Sequence, residues 1–501
     1  MRTFIFLLLV GFAISMSSCR EDFEFKPSTG DLTFSKDTVY CDTVFTNISS
    51  STYTLKVYNK SKKDIKIPTI RLAKPNSKYR ITVDGMTGEN QNNHTFRDVE
   101  LLAKDSMYIF IEVTADVASS NPTDFLYTDQ ILFDEGTNQQ KVELVTLIQD
   151  AYFLYPKKLS ETTTEMLNIG GIDEPVYGFI LDEFDPINGN EYHWKNDKPY
   201  VIYGYALADA KTLTIDPGAR IHFHADSGLI IGTGASLKAN GTLEDKIIFE
   251  GDRLEPGFAN VAGQWETIWL SSESINNEIE HVIIKNAVVG LNIDSNDGNF
   301  MPIKNTEIYN SSLIGLYAKT AKIQAENLVI NNAGIASLAC TLGGSYEFKQ
   351  CTFNNNWSSS KQVAVLLNNY YKDENGVSQP FPLDQADFKN CIIYGSNTYE
   401  LTIDPDTSVA FNHSFSKCLI KFGTTSNALY SFIYEDENNI RRNANPKFLD
   451  INNNKLNIDE DSSARGFGVN VGVPNDILGI TRVTTDGKYD LGAYQHEIFE
   501  D

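Results

Sequence analysis

The sequence predicts an all-β fold dominated by a parallel β-helix, on three observations: a short phrase that recurs at solenoid spacing, an apolar alternation inside each copy, and a scarcity of helical periodicity. The phrase reads IEHVIIKNA at Ile279–Ala287, IKNTEIYNS at Ile303–Ser311 and AENLVINNA at Ala325–Ala333. It continues as FKQCTFNNN at Phe348–Asn356, FKNCIIYGS at Phe388–Ser396 and FSKCLIKFG at Phe415–Gly423. Successive copies start 24, 22, 23, 40 and 27 residues apart. Periods of this size belong to solenoids, in which a repeat buries its apolar face only by stacking on the next.

Within the phrase, the fourth residue is Val282, Thr306, Leu328, Cys351, Cys391 or Cys418, and the sixth is Ile284, Ile308, Ile330, Phe353, Ile393 or Ile420. Both alternate with polar neighbours, so both face inward from one strand. The first residue is apolar as well but of the other parity, which requires a bend after it. The eighth is Asn286, Asn310, Asn332 and Asn355 in the first four copies, and coils about 4.8 Å apart would stack those amides into a ladder. A second strand follows the first, as VVGLNI at Val288–Ile293, LIGLYA at Leu313–Ala318 and GIASLAC at Gly334–Cys340. Cys340, Cys351, Cys391 and Cys418 read as core thiols. Neighbouring parallel rungs point their side chains the same way, a poor geometry for a disulfide, and no His or CxxC spacing accompanies them for a metal.

At 501 residues the chain can bury a large core. Its 66 acidic against 42 basic residues give a formal charge of −24. That balance argues against nucleic acid as a partner, because such binding rests on Lys and Arg neutralising phosphates.

In chain order, Arg2 and the apolar run Phe4–Phe12 lead to Met16-Ser17-Ser18-Cys19. This is the layout of a signal peptide over residues 1–18, with an apolar core too short to span a bilayer as a mature helix. Ending on Cys resembles a bacterial lipobox, which implies lipidation of Cys19 and attachment to a bilayer through acyl chains. Glu21, Asp22 and Glu24 resemble the surface-export signal of Bacteroidetes lipoproteins, which implies a cell-surface, outer-membrane address. Residues 19–27 read as a tether. Over 28–150 the pattern becomes longer alternating strands, with Leu55 and Val57, Ile65 and Ile67, Tyr79 to Val83, and Met107 to Val113 as inward faces. TLKVYNKSKKDIKIPTIRL at Thr54–Leu72 resembles the opening of Ig-like domains in bacterial surface proteins, implying an Ig-like β-sandwich that serves as a spacer. Asp37-Thr38-Val39, Asp42-Thr43-Val44 and Asp105-Ser106-Met107 resemble the O-glycosylation tripeptide of exported Bacteroidetes proteins, and serve equally well as turn residues.

Residues 151–200 lack a period and read as a connector. The β-helix is expected over 201–501. LTIDPGARIHFHADSGLIIGTGASLKANGTLEDKIIFEGDR at Leu213–Arg253 resembles the opening coils of right-handed parallel β-helix proteins found on Bacteroidetes surfaces, with Ile221 and Phe223 inward and turns at Pro217-Gly218 and Gly241-Thr242. NPKFLD at Asn445–Asp450, DILGITR at Asp476–Arg482 and DLGAY at Asp490–Tyr494 resemble the terminal coil of the same family. A fold of this kind hosts lyases, hydrolases, adhesins and inert scaffolds alike.

The acidic, Gly-His-Gly and Arg-Ile-Lys set of pectin-cutting β-helix enzymes is absent from the sequence. Asp294 and Asp297 in IDSNDGN are the candidate catalytic carboxylates and, with Asp450 and Asp461 in DINNNKLNIDED, the candidate Ca²⁺ ligands. Lys455 stands where an EF-hand loop needs Gly, and Leu456 and Ile458 read as a strand. No cofactor other than such a Ca²⁺ is expected. His222 and His224 read as a surface pair, and His281 as a surface residue. Trp265 and Trp269 read as corner packing or as sugar-stacking rings. The 40-residue spacing marks an insertion whose Asn368, Tyr370, Tyr371 and Asp373 are the candidate ligand contacts, since loops on one flank of a solenoid are often its binding surface. The expected function is a non-catalytic binding or display module for polysaccharide; a polysaccharide lyase or glycoside hydrolase and a purely structural adhesin are the alternatives.

Overall fold

A computed structural model describes residues 24–86, 88, 95–116, 125–169, 174–482 and 487–499. The expected signal peptide and Cys19 lie outside the described residues. The chain divides into two compact units at Asp150/Ala151. Both are all-β: among the described residues helix is confined to one turn of α-helix, Phe432–Glu435, and short 3₁₀ turns.

In the first unit two sheets enclose one apolar core. One is six-stranded and mixed, with Gln140–Gln149 antiparallel to Leu126–Phe133 and parallel to Thr38–Phe45. The other is four-stranded and antiparallel, with Ser106–Val113 between Tyr53–Tyr58 and Tyr79–Val83. The inward residues expected from alternation, among them Leu55, Ile67, Ile81 and Ile109, are all buried. Cys41 is buried too, and desolvation pushes its thiol up to about 12. Lys26–Pro27, expected in the tether, pairs in parallel with Ile65–Lys66.

The second unit is built of three long sheets with 11, 10 and 9 strands, parallel except for the edge strand Met166–Leu167 of the second, an arrangement consistent with a β-solenoid. Each coil contributes one strand to each sheet in turn, as in Val282–Lys285, Ala287–Asp294 and Met301–Lys304. The sixth residues of the phrase stack in register through the first sheet, Ile284 on Ile308, Ile330, Phe353, Ile393 and Ile420. The first residues stack through the third sheet, where the Phe348, Phe388 and Phe415 rings lie 4.9 and 4.7 Å apart. Phe432 of the helical turn stacks on Phe415 at 5.1 Å.

The parity change falls at the third residue of the phrase. His281, Asn305, Asn327, Gln350, Asn390 and Lys417 all adopt left-handed φ of 47° to 56°, a region that Asn enters at least cost among residues with a Cβ. A second left-handed corner falls on Asn286, Asn310 and Asn332. These three form the expected ladder, Asn332 Nδ2 donating to Asn310 Oδ1 at 2.9 Å and Asn310 Nδ2 to Asn286 Oδ1 at 3.4 Å. Asn355 leaves it and bonds the Ala333 backbone instead. A further pair joins the first corners, Asn327 Nδ2 to Asn305 Oδ1 at 2.8 Å.

Two expectations are corrected. Residues 151–200 form the first coil: Tyr152–Leu154, Val176–Ile180 and His193–Trp194 pair in parallel with the strands that follow them in each sheet. Trp194 fills the interior of that coil, fully buried, but its strands are too short to show a period. Residues 443–482 and 487–499 add no coil. They run back over the outer face of the first sheet, where Leu456, Ile477 and Tyr494 cover Tyr309 and Val329, and Ile458 and Leu491 cover Ile392 and Leu419.

This strap is pinned by polar groups as well as apolar ones. Asn331 Nδ2 donates to Ile451 O and Asn454 Oδ1, Ala493 N to Thr352 Oγ1, and Gly492 N to Asn390 O. Gly492 has φ of 82°, and a Cβ there would meet Thr352 Oγ1 at 2.6 Å. Arg482, 0% exposed, donates to Asn327 Oδ1 and Ala493 O at 2.8 Å and to Asn475 O at 3.2 Å. Replacing it by Ala strands three acceptors in a closed space. Arg482→Ala is expected to lower the stability of the second unit by about 3 kcal/mol, read as an earlier urea midpoint and as new protease cuts within 443–482.

Candidate functional site

Three sheets give the second unit three outer faces with different chemistry. The first is covered by the strap from Tyr309 to Leu419, with Ile283 at its edge. Before the strap it carries Glu250, whose carboxylate pairs with Arg220 at 2.8 Å and Lys285 at 2.7 Å. Burial raises that carboxyl, but His222, Lys285 and Arg220 more than offset it and hold it below the usual range. The third face is a ladder of paired charges, including Lys238–Glu278 at 2.7 Å and Lys349–Glu347 at 3.1 Å. Such pairs are the ordinary chemistry of a solvated sheet face.

Among the described residues of this unit nothing covers the second face, and it is not a charge ladder. In the C-terminal halves of its strands Ile268, Leu270, Leu291, Ile293, Leu316 and Ala318 are buried while Trp269, Asn292 and Tyr317 between them are half-exposed. Those three are in register on successive coils and continue to Ala339, Leu366 and Thr402. A parallel column runs beside them: Asp294, Lys319 and Thr341 in register, then Asn368 and Asp404, with Cys340 opposite Leu367 joining the two sets.

Hydrogen bonds knit the columns together. Trp269 Nε1 donates to Asp294 Oδ2 at 2.8 Å, and Lys319 Nζ pairs with Asp294 Oδ1 at 2.6 Å. The same Nζ sits 5.2 Å from the centre of the Tyr317 ring. Three coils further on, Asn368 Nδ2 and the Tyr370 hydroxyl donate to Asp404 Oδ2 at 3.3 and 3.0 Å. Asp294, Asn368 and Tyr370 therefore lie along one strip. Lys319, Tyr317 and Asp404 were not anticipated. Their signal is the slot they share in the second strands, in LNID, LYAK, LACT, LLN and LTID, where apolar, outward, apolar and polar positions repeat.

The remaining candidates do not join the strip as a catalytic or metal centre. Asp297 lies in the next turn and accepts from Asn276 N and Asn299 N, both at 3.0 Å. Burial raises its carboxyl, and those backbone donors outweigh burial and leave it below the usual range. It lines a recess of ≈ 140 Å³ with Asn276, Asn296 and Phe300. Asp373 closes the turn of the inserted hairpin, Tyr370–Lys372 with Ser378–Pro380, by accepting from Asn375 N and Val377 N. Tyr371 is 48% exposed and stacks on Phe381 at 6.0 Å. Asp450 caps the 3₁₀ turn Ile451–Asn453, Asp461 pairs with Lys447 at 3.2 Å, and Lys455–Ile458 between them is a strand, so no loop wraps an ion there. Among the described residues no group of three His, Cys, Asp or Glu side chains is placed to hold a metal.

The histidines and tryptophans divide in ways that alternation did not show. His222, expected at the surface, is buried in register with Glu250, with Nδ1 3.1 Å from Gly251 O, and burial lowers its imidazole. His224 is exposed and pairs with Asp252 at 2.7 Å. His281 is half-buried at its left-handed corner, 3.2 Å from Asn305 Nδ2. Trp265 is core, stacked on Phe223 at 4.4 Å, whereas Trp269 faces out. A register shift between Thr267 and Ile268 reverses the parity of their strand, as one extra residue in a ladder does.

The chain matches no protein-family model and no curated protein. Among solved structures it shows similarity to the ASH/PapD-like domain of human CEP192, at 12% identity and a TM-score of 0.16 over 27% of this chain and 96% of that one. It also shows similarity to a family 123 glycoside hydrolase from Clostridium perfringens, at 7% identity and a TM-score of 0.16 over 25% of this chain and 30% of that one. Likeness at this level supports no argument about fold or activity.

The most perturbed carboxyl of the second unit stands off the strip. Glu400, 0% exposed, occupies a corner between the first and second sheets. Its Oε1 accepts from Asn397 N at 2.6 Å, and Oε2 has no hydrogen-bond partner among the described residues. Burial pushes it up to about 8, with Asn397 N and Lys421 pulling the other way. A carboxyl raised in the folded state favours folding below its unfolded value of 4.5 and loses that contribution as pH rises through about 8. Stability should therefore fall between pH 5 and 8 by something on the order of 4 kcal/mol. Glu400→Gln is expected to flatten that slope and to raise the urea midpoint at pH 8; an unchanged slope would show that Glu400 is already ionised in the folded chain.

Proposed function

We propose that this chain is a lipid-anchored cell-surface protein of Bacteroidetes type, in which an Ig-like spacer carries a right-handed parallel β-helix that binds or displays polysaccharide without cutting it. The observation that carries this reading is the second face, where Trp269, Asn292 and Tyr317 stand outward in register on three successive coils. Rings that stack on sugar faces and side chains that bond hydroxyls need only exposure and spacing. A hydrolase or lyase needs more, namely a carboxylate or base free to move a proton at a bound substrate. Asp294 is instead engaged by both Trp269 and Lys319. In this reading acylated Cys19 attaches the chain to the bilayer, residues 19–27 act as the tether, and no cofactor is required; Ca²⁺ would enter only through an enzymatic alternative.

Two measurements test it. Residues 20–501, incubated with acidic and neutral polysaccharides with and without Ca²⁺, should release neither reducing ends nor unsaturated uronate, yet be retained on at least one polysaccharide. Product that vanishes in Asp294→Ala or Asp297→Ala would make the protein a lyase or hydrolase. Absence of both product and retention would leave a structural adhesin. The full chain expressed in a Bacteroidetes host should partition into detergent, and Cys19→Ala should move it to the aqueous phase; a wild-type chain already in the aqueous phase would remove the lipid anchor.

A further inference from the structure

We propose that the strip on the second face takes an uncharged, extended polysaccharide lying along the stack of coils, with Trp269 and Tyr317 as its stacking platforms; this deepens the polysaccharide reading above and rests on it. The two rings occupy the same outward column two coils apart, a separation of roughly 9–10 Å from the β-spacing. That is close to the advance of one disaccharide in an extended β-linked chain, so alternate sugars would meet an aromatic ring. Asn292 lies between them in the column and offers an amide donor and acceptor to the intervening sugar.

The Trp269 platform is held before any ligand arrives, and a cation sits beside the Tyr317 ring. The Trp269 indole is held through Nε1 by Asp294, and Asp294 also draws Lys319 to within 5.2 Å of the Tyr317 ring. Rings already held in one orientation lose little freedom on binding. Charge selects among glycans. Asp294 is compensated by Lys319, the other carboxylate of the column, Asp404, is exposed, and the chain carries a net −24. A uronate polymer would meet repulsion here with no cation left over to receive it. A neutral chain meets none. The mixture of flat rings with amides and hydroxyls also suits a sugar, apolar on its faces and polar at its rim, better than a uniformly apolar partner.

The test uses the intrinsic fluorescence of residues 20–501, in which Trp194 and Trp265 are buried and Trp269 and Trp357 are half-exposed, so that Trp269→Phe separates the strip's signal from that of Trp357. Soluble β-1,4-linked hexasaccharides of glucose, mannose and xylose are titrated beside oligogalacturonate. At least one neutral oligosaccharide should change the emission, and Trp269→Phe should remove that change while keeping the melting temperature. Calorimetric affinity should fall about tenfold in Trp269→Ala and in Tyr317→Ala, and stay unchanged in Tyr371→Ala on the hairpin. If Trp269→Ala fails to fold, Tyr317→Ala and Trp269→Phe carry the decision. Affinity undiminished in the strip variants, or lost only in Tyr371→Ala, would overturn the strip and leave the binding reading standing. Preference for oligogalacturonate would overturn the neutral class, and retention of a purified protein in place of any glycan would overturn both. Silence toward every glycan would do the same.

Discussion

Everything in the second unit depends on parallel register between one coil and the next. A strand that slips by one residue would turn Ile284 and its successors outward and expose a column that is fully buried over six coils. The left-handed corners at His281 and its equivalents, and at Asn286, Asn310 and Asn332, hold that register, because they fix where each strand starts and stops. Asn suits them twice over: its backbone accepts the conformation, and its amide bonds the amide of the neighbouring coil. Inside, stacked Phe, Ile and Cys fill the bore. Desolvation pushes the Cys340 and Cys351 thiols well above their ordinary range, so they act there as apolar packing.

Once register is fixed, the outer faces are free to differ. Alternation constrains only the inward residues, and the outward residues of each sheet form their own columns. The first sheet uses them to receive the strap, the third to balance charge, and the second to present rings and amides. The proposed binding strip is thus a product of the stacking and needs no pocket.

How much of this could be read beforehand follows from the range of the interactions. The phrase at Ile279–Gly423 was legible because its period and alternation are local properties of the chain, and so were the alternating strands of the first unit. The coil within 151–200 was not, since its strands are two to five residues long and its inward Trp194 and Tyr200 have no periodic partners in sequence. The strap was misread because apolar residues that cover a sheet from outside and those that enter a coil look alike in a short phrase such as DLGAY. The site was legible in part. Asp294, Asn368 and Tyr370 were found separately, by turn chemistry and by an insertion, but their partners Lys319 and Asp404 lie 25 and 36 residues away, reached only by stacking.

The strap alters what kind of folding unit the solenoid is. Stacked repeats ordinarily contact only their neighbours, so stability is additive along the array and either end can fray by itself. Here Arg482 bonds Asn327 across 155 residues, Ala493 bonds Thr352 across 141, and Asn331 bonds Asn454 across 123. Coils made earlier in synthesis are therefore completed only by residues made more than a hundred positions later. The array is expected to melt less like a zipper and more like a single cooperative block, and a ribosome that stops before Asn443 would release a stack with its first sheet uncovered.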